Sequence, residues 1–190
     1  MQSFFSLIDH LNAVPPERRA AIEEVIWNTF GTECAVMALD MSDFSMSVRR
    51  TGILQHLRLI RRMQVLTEPI VRECGGQLIK YQADNLLAVF QDPRLAVDAA
   101  VRMVHDVEAE QGLEVAIGID WGRILLLPGT DCFGDAVNTA YKLGEDVAKG
   151  GEILITRAVR ERLGVAAAYR LAQARVSVSG LEIDIFSVAG

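Results

Sequence analysis

Residues 75–90 read GGQLIKYQADNLLAVF, and this stretch constrains the fold more than any other. Two runs, roughly 77–82 and 86–90, flank the polar tip QADN and read as a β-hairpin. Helical patterns stand on both sides. Residues 51–74 place Ile53, Leu57, Ile60, Met63, Leu66 and Ile70 on one stripe. Asp92-Pro93 opens a second helix reaching about residue 110, with Asp92 as cap and Pro93 in the first turn. A hairpin between two helices requires antiparallel pairing, which excludes a doubly wound dinucleotide fold.

The other elements fit around that unit. ECAVMALD, 33–40, is a short apolar run ending in Asp40 and reads as a buried strand. LEVAIGID, 113–120, reads as the next strand, and RILLL after Gly122 as another. Residues 135–148 read as a helix, EILIT as a strand and 157–163 as a short helix, with two strands near 168–173 and 182–188. The order strand, helix, hairpin, helix, strand predicts an α/β (α+β) fold. Its core is ferredoxin-like βαββαβ with extra C-terminal strands and helices. Two further helices, 3–12 and 16–29, are separated by Val14-Pro15-Pro16, and Ile22, Val25, Ile26 and Phe30 follow helical spacing. The chain therefore divides into an N-terminal helical segment, 1–30, and a domain, 31–190. Pro69 is expected to kink or divide the helix over 51–74.

Hydrophobic residues make up 51% of the 190 residues, enough for a substantial core. The net charge of −6 argues against nucleic-acid binding by counterion release. No apolar stretch approaches the roughly 20 residues of a membrane helix. The start, MQSFFSLIDHL, lacks a basic region and carries Asp9, unlike a signal peptide. Cys34, Cys74 and Cys132 are isolated, without metal-type spacing. These features predict a cytoplasmic protein with reduced thiols.

Two aspartates stand out. Asp40 ends the first strand and Asp84 tips the hairpin. In a βαββαβ sheet the first strand lies beside the hairpin, so the two carboxylates can converge on one edge. Such a pair suits Mg²⁺ or Mn²⁺, although aspartate is equally common in turns. Arg58, Arg61 and Arg62 fall off the apolar stripe and read as a solvated face. His10, His56 and His105, on predicted helices without clustered ligands, read as structural. So does Asp120, as a strand-end residue. Trp121 reads as packing or dimer surface. Asp135 and the pair Glu145-Asp146 read as helix-surface charge.

GTDCFGDAVNTAYKLGEDVAKGGEILIT, 129–156, resembles the class III adenylate and guanylate cyclases, whose pattern is approximately D-x-x-G-x-x-V-N-x-A-x-R-L. Asp131, Gly134, Val137, Asn138, Ala140, Lys142 and Leu143 occupy it. Other landmarks fall in order: LDMSDFS (39–45) resembles D-x-x-G-F-[ST], residues 75–90 resemble GG…K-x-x-G-D…F, and GIDWG (118–122) resembles G-I-x-x-G. The likeness covers about residues 33–188.

The resemblance implies roles. Asp40 and Asp84 match the metal-binding aspartates, holding two Mg²⁺ or Mn²⁺ ions per site. Lys80 and Asp131 match the purine-reading pair in its adenine-selecting form. Asn138 matches the residue that orients the ribose, and Arg123 an arginine used on the triphosphate in some members. The main chain over 41–45, with Ser42, Asp43, Phe44 and Ser45, would cradle phosphate oxygens. In this family the site lies between subunits, so a chain carrying both sets implies a head-to-tail homodimer that turns ATP into cyclic AMP and pyrophosphate.

Four positions depart from the pattern. Lys142 replaces the transition-state arginine and lacks its planar fork. Ser179 stands where many members have a phosphate-binding lysine. Asp43 replaces the phosphate-loop glycine, and a carboxylate about 5 Å from a phosphate costs roughly 3 kcal/mol at an effective dielectric near 20. Ala83 replaces the glycine before the metal aspartate. The alternative reading is therefore a catalytically degenerate cyclase homology domain that binds nucleotide or a partner. A diguanylate cyclase would need G-G-[DE]-E-F at the hairpin turn, which QADN does not supply.

Overall fold

The computed structural model describes residues 3–42, 52–110, 113–164, 169–178 and 180–189. Its core is β1 (Gly31–Met41), α3 (Ile53–Glu73), the hairpin β2 (Gln77–Gln82) and β3 (Asn85–Phe90), α4 (Pro93–Glu108) and β4 (Val115–Leu127). β5 (Asp131–Phe133), α5 (Asp135–Tyr141), a π-helix (Lys142–Val147), β6 (Ile153–Thr156), α6 (Arg157–Arg162), β7 (Arg170–Val178) and β8 (Leu181–Ala189) complete the domain. The strands form one sheet in the order β2-β3-β1-β4-β6-β8-β7, with β5 paired to β4. β1 pairs antiparallel with both β3 and β4, as the βαββαβ core requires.

β1 is apolar on both faces because both are covered. Ala35, Met37 and Leu39 join Ile117 and Ile119 of β4 beneath Met63 and Ile70 of α3 and Met103 of α4. The alternate residues Cys34, Val36 and Ala38 pack with Ala136, Val137 and Ala140 of α5. α1 (Phe4–Ala13) and α2 (Pro16–Phe30) bury Phe4, Leu7 and Ile26 against Leu125 and Leu127 at the far end of β4. Val25, expected on the buried stripe of α2, is exposed.

Several expectations need correction. Residues 115–127 form one strand, not two. Gly122 is paired with Cys34 in an unbroken ladder, and an added Cβ there would lie 3.0 Å from Ala136 Cβ. This glycine admits α5 rather than breaking the strand. Pro69 does not divide α3, which runs through it. The buried residues on both sides, Met63 and Thr67 before it and Ile70 and Val71 after, hold the helix together across the lost hydrogen bond. The stripe on α3 is buried at Ile60, Met63 and Ile70, whereas Ile53 and Leu57 near its start are exposed. The helix over 135–148 is α-helical only to Tyr141, then π-helical, with Ala148 N donating to Leu143 O at 2.8 Å, an i→i+5 bond. The last two strands are longer than expected and pair as one hairpin. Among the described residues no helix is long and apolar enough to cross a membrane.

Candidate active site

Asp40 sits near the end of β1, half-buried. The β1–β3 register ends on Leu39 opposite Leu86. Continued one step, it sets Asp40 opposite Asn85 and next to Asp84. The hairpin that carries Asp84 turns on two residues, Ala83 and Asp84, between the paired Gln82 and Asn85. Ala83 has φ 52°, alone among the described non-glycine residues in being left-handed. A two-residue hairpin turn needs such a φ at its first central position, where glycine costs nothing and alanine is strained.

Asp84 lies near enough to Asp40 for the two carboxylates to repel one another. Burial, then the Asp84 and Glu145 carboxylates, push the Asp40 carboxyl up to about 7, against a lowering hydrogen bond from the Met41 backbone. Glu145 is itself raised, first by burial and then by Asp146. Among the described residues no group of three or more acidic, histidine or cysteine side chains closes into a metal cage. Two repelling carboxylates with open positions nevertheless fit a hard divalent cation that completes its shell with water and substrate phosphates.

Lys80 and Asp131 meet. Lys80 Nζ donates to Asp131 Oδ2 at 2.9 Å, and the two side chains are 28% and 29% exposed. A register shift between Leu78 and Lys80 sets Lys80 opposite Leu87. Leu87 and Ile79 belong to the cluster on the α5 face of the sheet, with Cys132 beside Asp131. The bulge thus lets consecutive residues 79 and 80 serve one face. Asp131 Oδ1 also accepts from the Cys132 N–H at 2.9 Å, which orients the carboxylate.

Asn138 and Lys142 lie along α5 and the start of the π-helix, Asn138 exposed and Lys142 with half its side chain in solvent. Lys142 Nζ donates to Asp146 Oδ2 at 2.7 Å. Arg123 lies apart from these groups. Its strand parity puts it on the α3–α4 face, and its guanidinium stacks over the Trp27 ring of α2 at 4.2 Å. The Ser42 N–H is committed to the Glu114 carbonyl at 3.0 Å. Asp43, Phe44, Ser45 and Ser179 lie outside the described residues.

Glu145 and Asp120 also differ from their sequence expectations. Glu145, expected as surface charge, accepts from Asn85 Nδ2 at 2.7 Å and bears on Asp40. Nothing local marks it, because only the π-turn carries it to the hairpin. Asp120 is buried within β4 rather than at a strand end. It accepts from Thr156 Oγ1 and, at 2.8 Å, from the Trp121 N–H, and burial raises its carboxyl. It joins β4 to the N-terminus of α6, where Thr156 is the cap, in keeping with a structural role. Trp121 donates from Nε1 to Glu33 at 2.6 Å and packs under Arg162.

No family model matches the sequence. An uncharacterized protein of Mycobacterium tuberculosis is 31% identical over 147 residues, covering 76% of this chain and 38% of that protein. An adenylate cyclase of Streptomyces coelicolor is 27% identical over 130 residues, covering 68% and 34%. The chain thus spans little more than a third of the length of these curated relatives. The solved adenylate/guanylate cyclase/hydrolase from Silicibacter pomeroyi superposes with a TM-score of 0.70 at 26% identity, over 84% of this chain and 98% of that one. By fold and by sequence likeness, the chain belongs to the class III adenylate/guanylate cyclase catalytic-domain family.

Proposed function

We propose that the chain is an adenylate cyclase domain, turning ATP into 3′,5′-cyclic AMP and pyrophosphate at sites shared between two copies in a head-to-tail homodimer. The observation that carries this reading is the Lys80–Asp131 pair at 2.9 Å, on a sheet whose adjacent edge concentrates Asp40 and Asp84. A lysine donates to adenine N1 and a carboxylate accepts from the 6-amino group. Guanine presents a donor and an acceptor at those places and leaves both protein groups mismatched, at a cost of about 1–3 kcal/mol each.

Asp40 and Asp84 would hold two Mg²⁺ or Mn²⁺ ions, which supply charge neutralisation and a lowered pKa for the ribose 3′-hydroxyl. The chain's own residues do the rest. The copy opposite Asp40 and Asp84 supplies both the Lys80–Asp131 pair, which fixes the base, and Asn138, which orients the ribose for attack of the 3′-oxygen on the α-phosphorus, expelling pyrophosphate. Lys142 of that same copy, freed from Asp146, would offer a point charge to the phosphate as charge develops there. Turnover of ATP, but not GTP, by purified protein with Mn²⁺ or Mg²⁺ tests the reading. Asp40→Ala should abolish product and leave the dimer intact. A dimer that yields no cyclic nucleotide from either substrate with either metal overturns it.

A second reading, a nucleotide-binding domain without turnover, draws support from Lys142 being bound to Asp146 and from the Ser42 N–H being bound to Glu114. It predicts a thermal shift with ATP and no product, and recovery of product by Lys142→Arg combined with Ser179→Lys.

A further inference from the structure

We propose that Glu145 is a positioning residue that clamps the tip of the β2–β3 hairpin and so holds Asp84 beside Asp40; the consequence for metal rests on the proposed function. The clamp is the hydrogen bond from Asn85 Nδ2 to Glu145 Oε1, 2.7 Å long between residues 60 apart in sequence. Its direction is fixed by chemistry, since of the two Asn85 amide atoms only the nitrogen donates to a carboxylate. Asn85 is the first residue of β3 and comes directly after Asp84.

The other end of the clamp is anchored to the strand that carries Asp40. The backbone of the π-helix presses on the sheet. A Cβ at Gly144 would come within 2.9 Å of Ala38 O, and a Cβ at Gly118 within 2.6 Å of Gly144 N. Ala38 is two residues before Asp40. Leu143, beside Gly144, is fully buried. The widened turn rotates the residues after it by roughly one residue's 100° relative to a continuous α-helix. Glu145 is therefore presented to the hairpin by a backbone in contact with β1. It bridges two elements whose aspartates repel one another, across a turn strained at Ala83. Without the clamp, the hairpin tip relieves both by moving away.

The test compares wild type with E145A, E145Q, N85A and the E145A/N85A double variant. Amide hydrogen exchange at 84–86 in metal-free protein reports the clamp, and calorimetric titration with Mn²⁺ alone reports its consequence. E145A should speed hairpin-tip exchange about tenfold, in line with loss of a hydrogen bond to a charged group. It should also weaken Mn²⁺ binding several-fold. E145Q keeps an oxygen acceptor for Asn85 and should exchange within about twofold of wild type. N85A should match E145A, and the double variant should be no worse than either single one. Unchanged exchange in E145A, E145Q as fast as E145A, or additive effects in the double variant each overturn the proposal. Glu145 is exposed, and N85A reports the same bond from the other side should E145A fold poorly. The exchange arm needs no metal. A wild type that binds no Mn²⁺ therefore overturns the metal assignment alone.

Discussion

Lys80 Nζ and Asp131 Oδ2 lie 2.9 Å apart in one chain, each side chain more than two-thirds buried. The two groups satisfy one another, and on the proposed adenylate cyclase reading they would exchange this contact, in part, for adenine. Lys80→Met leaves Asp131 without its cation and should lower stability by about 1–2 kcal/mol. ATP turnover should fall at least tenfold. The charge-reversed double variant Lys80→Asp/Asp131→Lys should recover most of the stability, by chemical denaturation, and none of the turnover. Recovery of both would make the pair structural only.

Asp40 gives the metal-free protein a definite pH dependence. Its folded pKa, about 7, lies above the unfolded value of 3.8. The folded state therefore holds the proton more tightly. The contribution is fully present below about pH 4 and is lost as pH rises through 7. The shift alone would be worth roughly 4 kcal/mol, and screening at a site open to solvent reduces it to about 1–2 kcal/mol. Metal-free wild type should thus lose stability between about pH 4 and pH 7 relative to Asp40→Asn, which has no such charge. Saturating Mn²⁺ should flatten the difference. Parallel melting profiles for the two proteins in the absence of metal would contradict the shared site.

Ala83 tests the departure at the hairpin tip directly. With φ at 52°, it takes a conformation that glycine adopts freely. Ala83→Gly should stabilise the protein by about 0.5–1 kcal/mol, the relieved strain exceeding the added chain entropy. Destabilisation in equilibrium urea unfolding would show that Asp84 is held by something other than the turn.

Much of this is legible in the chain. The apolar run of β1 and the hairpin between two helices require the βαββαβ core, and the central strand order comes with it. Asp40, Asp84, Lys80 and Asp131 are recognisable by their motifs. The features that pattern does not reveal depend on backbone approach. Gly118 and Gly144 look like ordinary strand and helix residues, yet their contact accompanies the π-turn that presents Glu145. Gly122 looks like a break because glycine often is one, and here it makes room for Ala136. Arg123 adjoins Gly122 in sequence, but strand parity turns it to the opposite face, onto Trp27.

That backbone contact is also the most demanding packing site. An added Cβ at Gly118 would stand 2.2 Å from Ala140 O and 2.6 Å from Gly144 N, both main-chain atoms with nowhere to yield. Gly118→Ala should cost at least about 2–3 kcal/mol by forcing α5 off the sheet. Gly129→Ala, with open space around it, should cost only its positive φ of 67°, about 1 kcal/mol. Equal losses from the two substitutions would place the cost in the backbone conformation instead of the packing.

On the proposed reading, Lys142 sets how much catalysis the phosphate side would support. Its side chain is half in solvent and bound to Asp146 at 2.7 Å, a pair on adjacent helix turns worth only about 0.3–0.5 kcal/mol. The pair is easily broken, so Asp146 restrains Lys142 without disabling it. Arginine at this position would offer two parallel donors to one phosphate, where lysine offers a single point of charge. Lys142→Arg should therefore raise kcat about tenfold with little change in KM, since the added contact forms as charge builds at the transition state. Asp146→Asn should raise kcat by a smaller factor through release of the lysine. A fall in KM at constant kcat would mean that position 142 binds the ground-state triphosphate instead, and kcat and KM both unchanged in Lys142→Arg would remove the residue from the catalytic assignment.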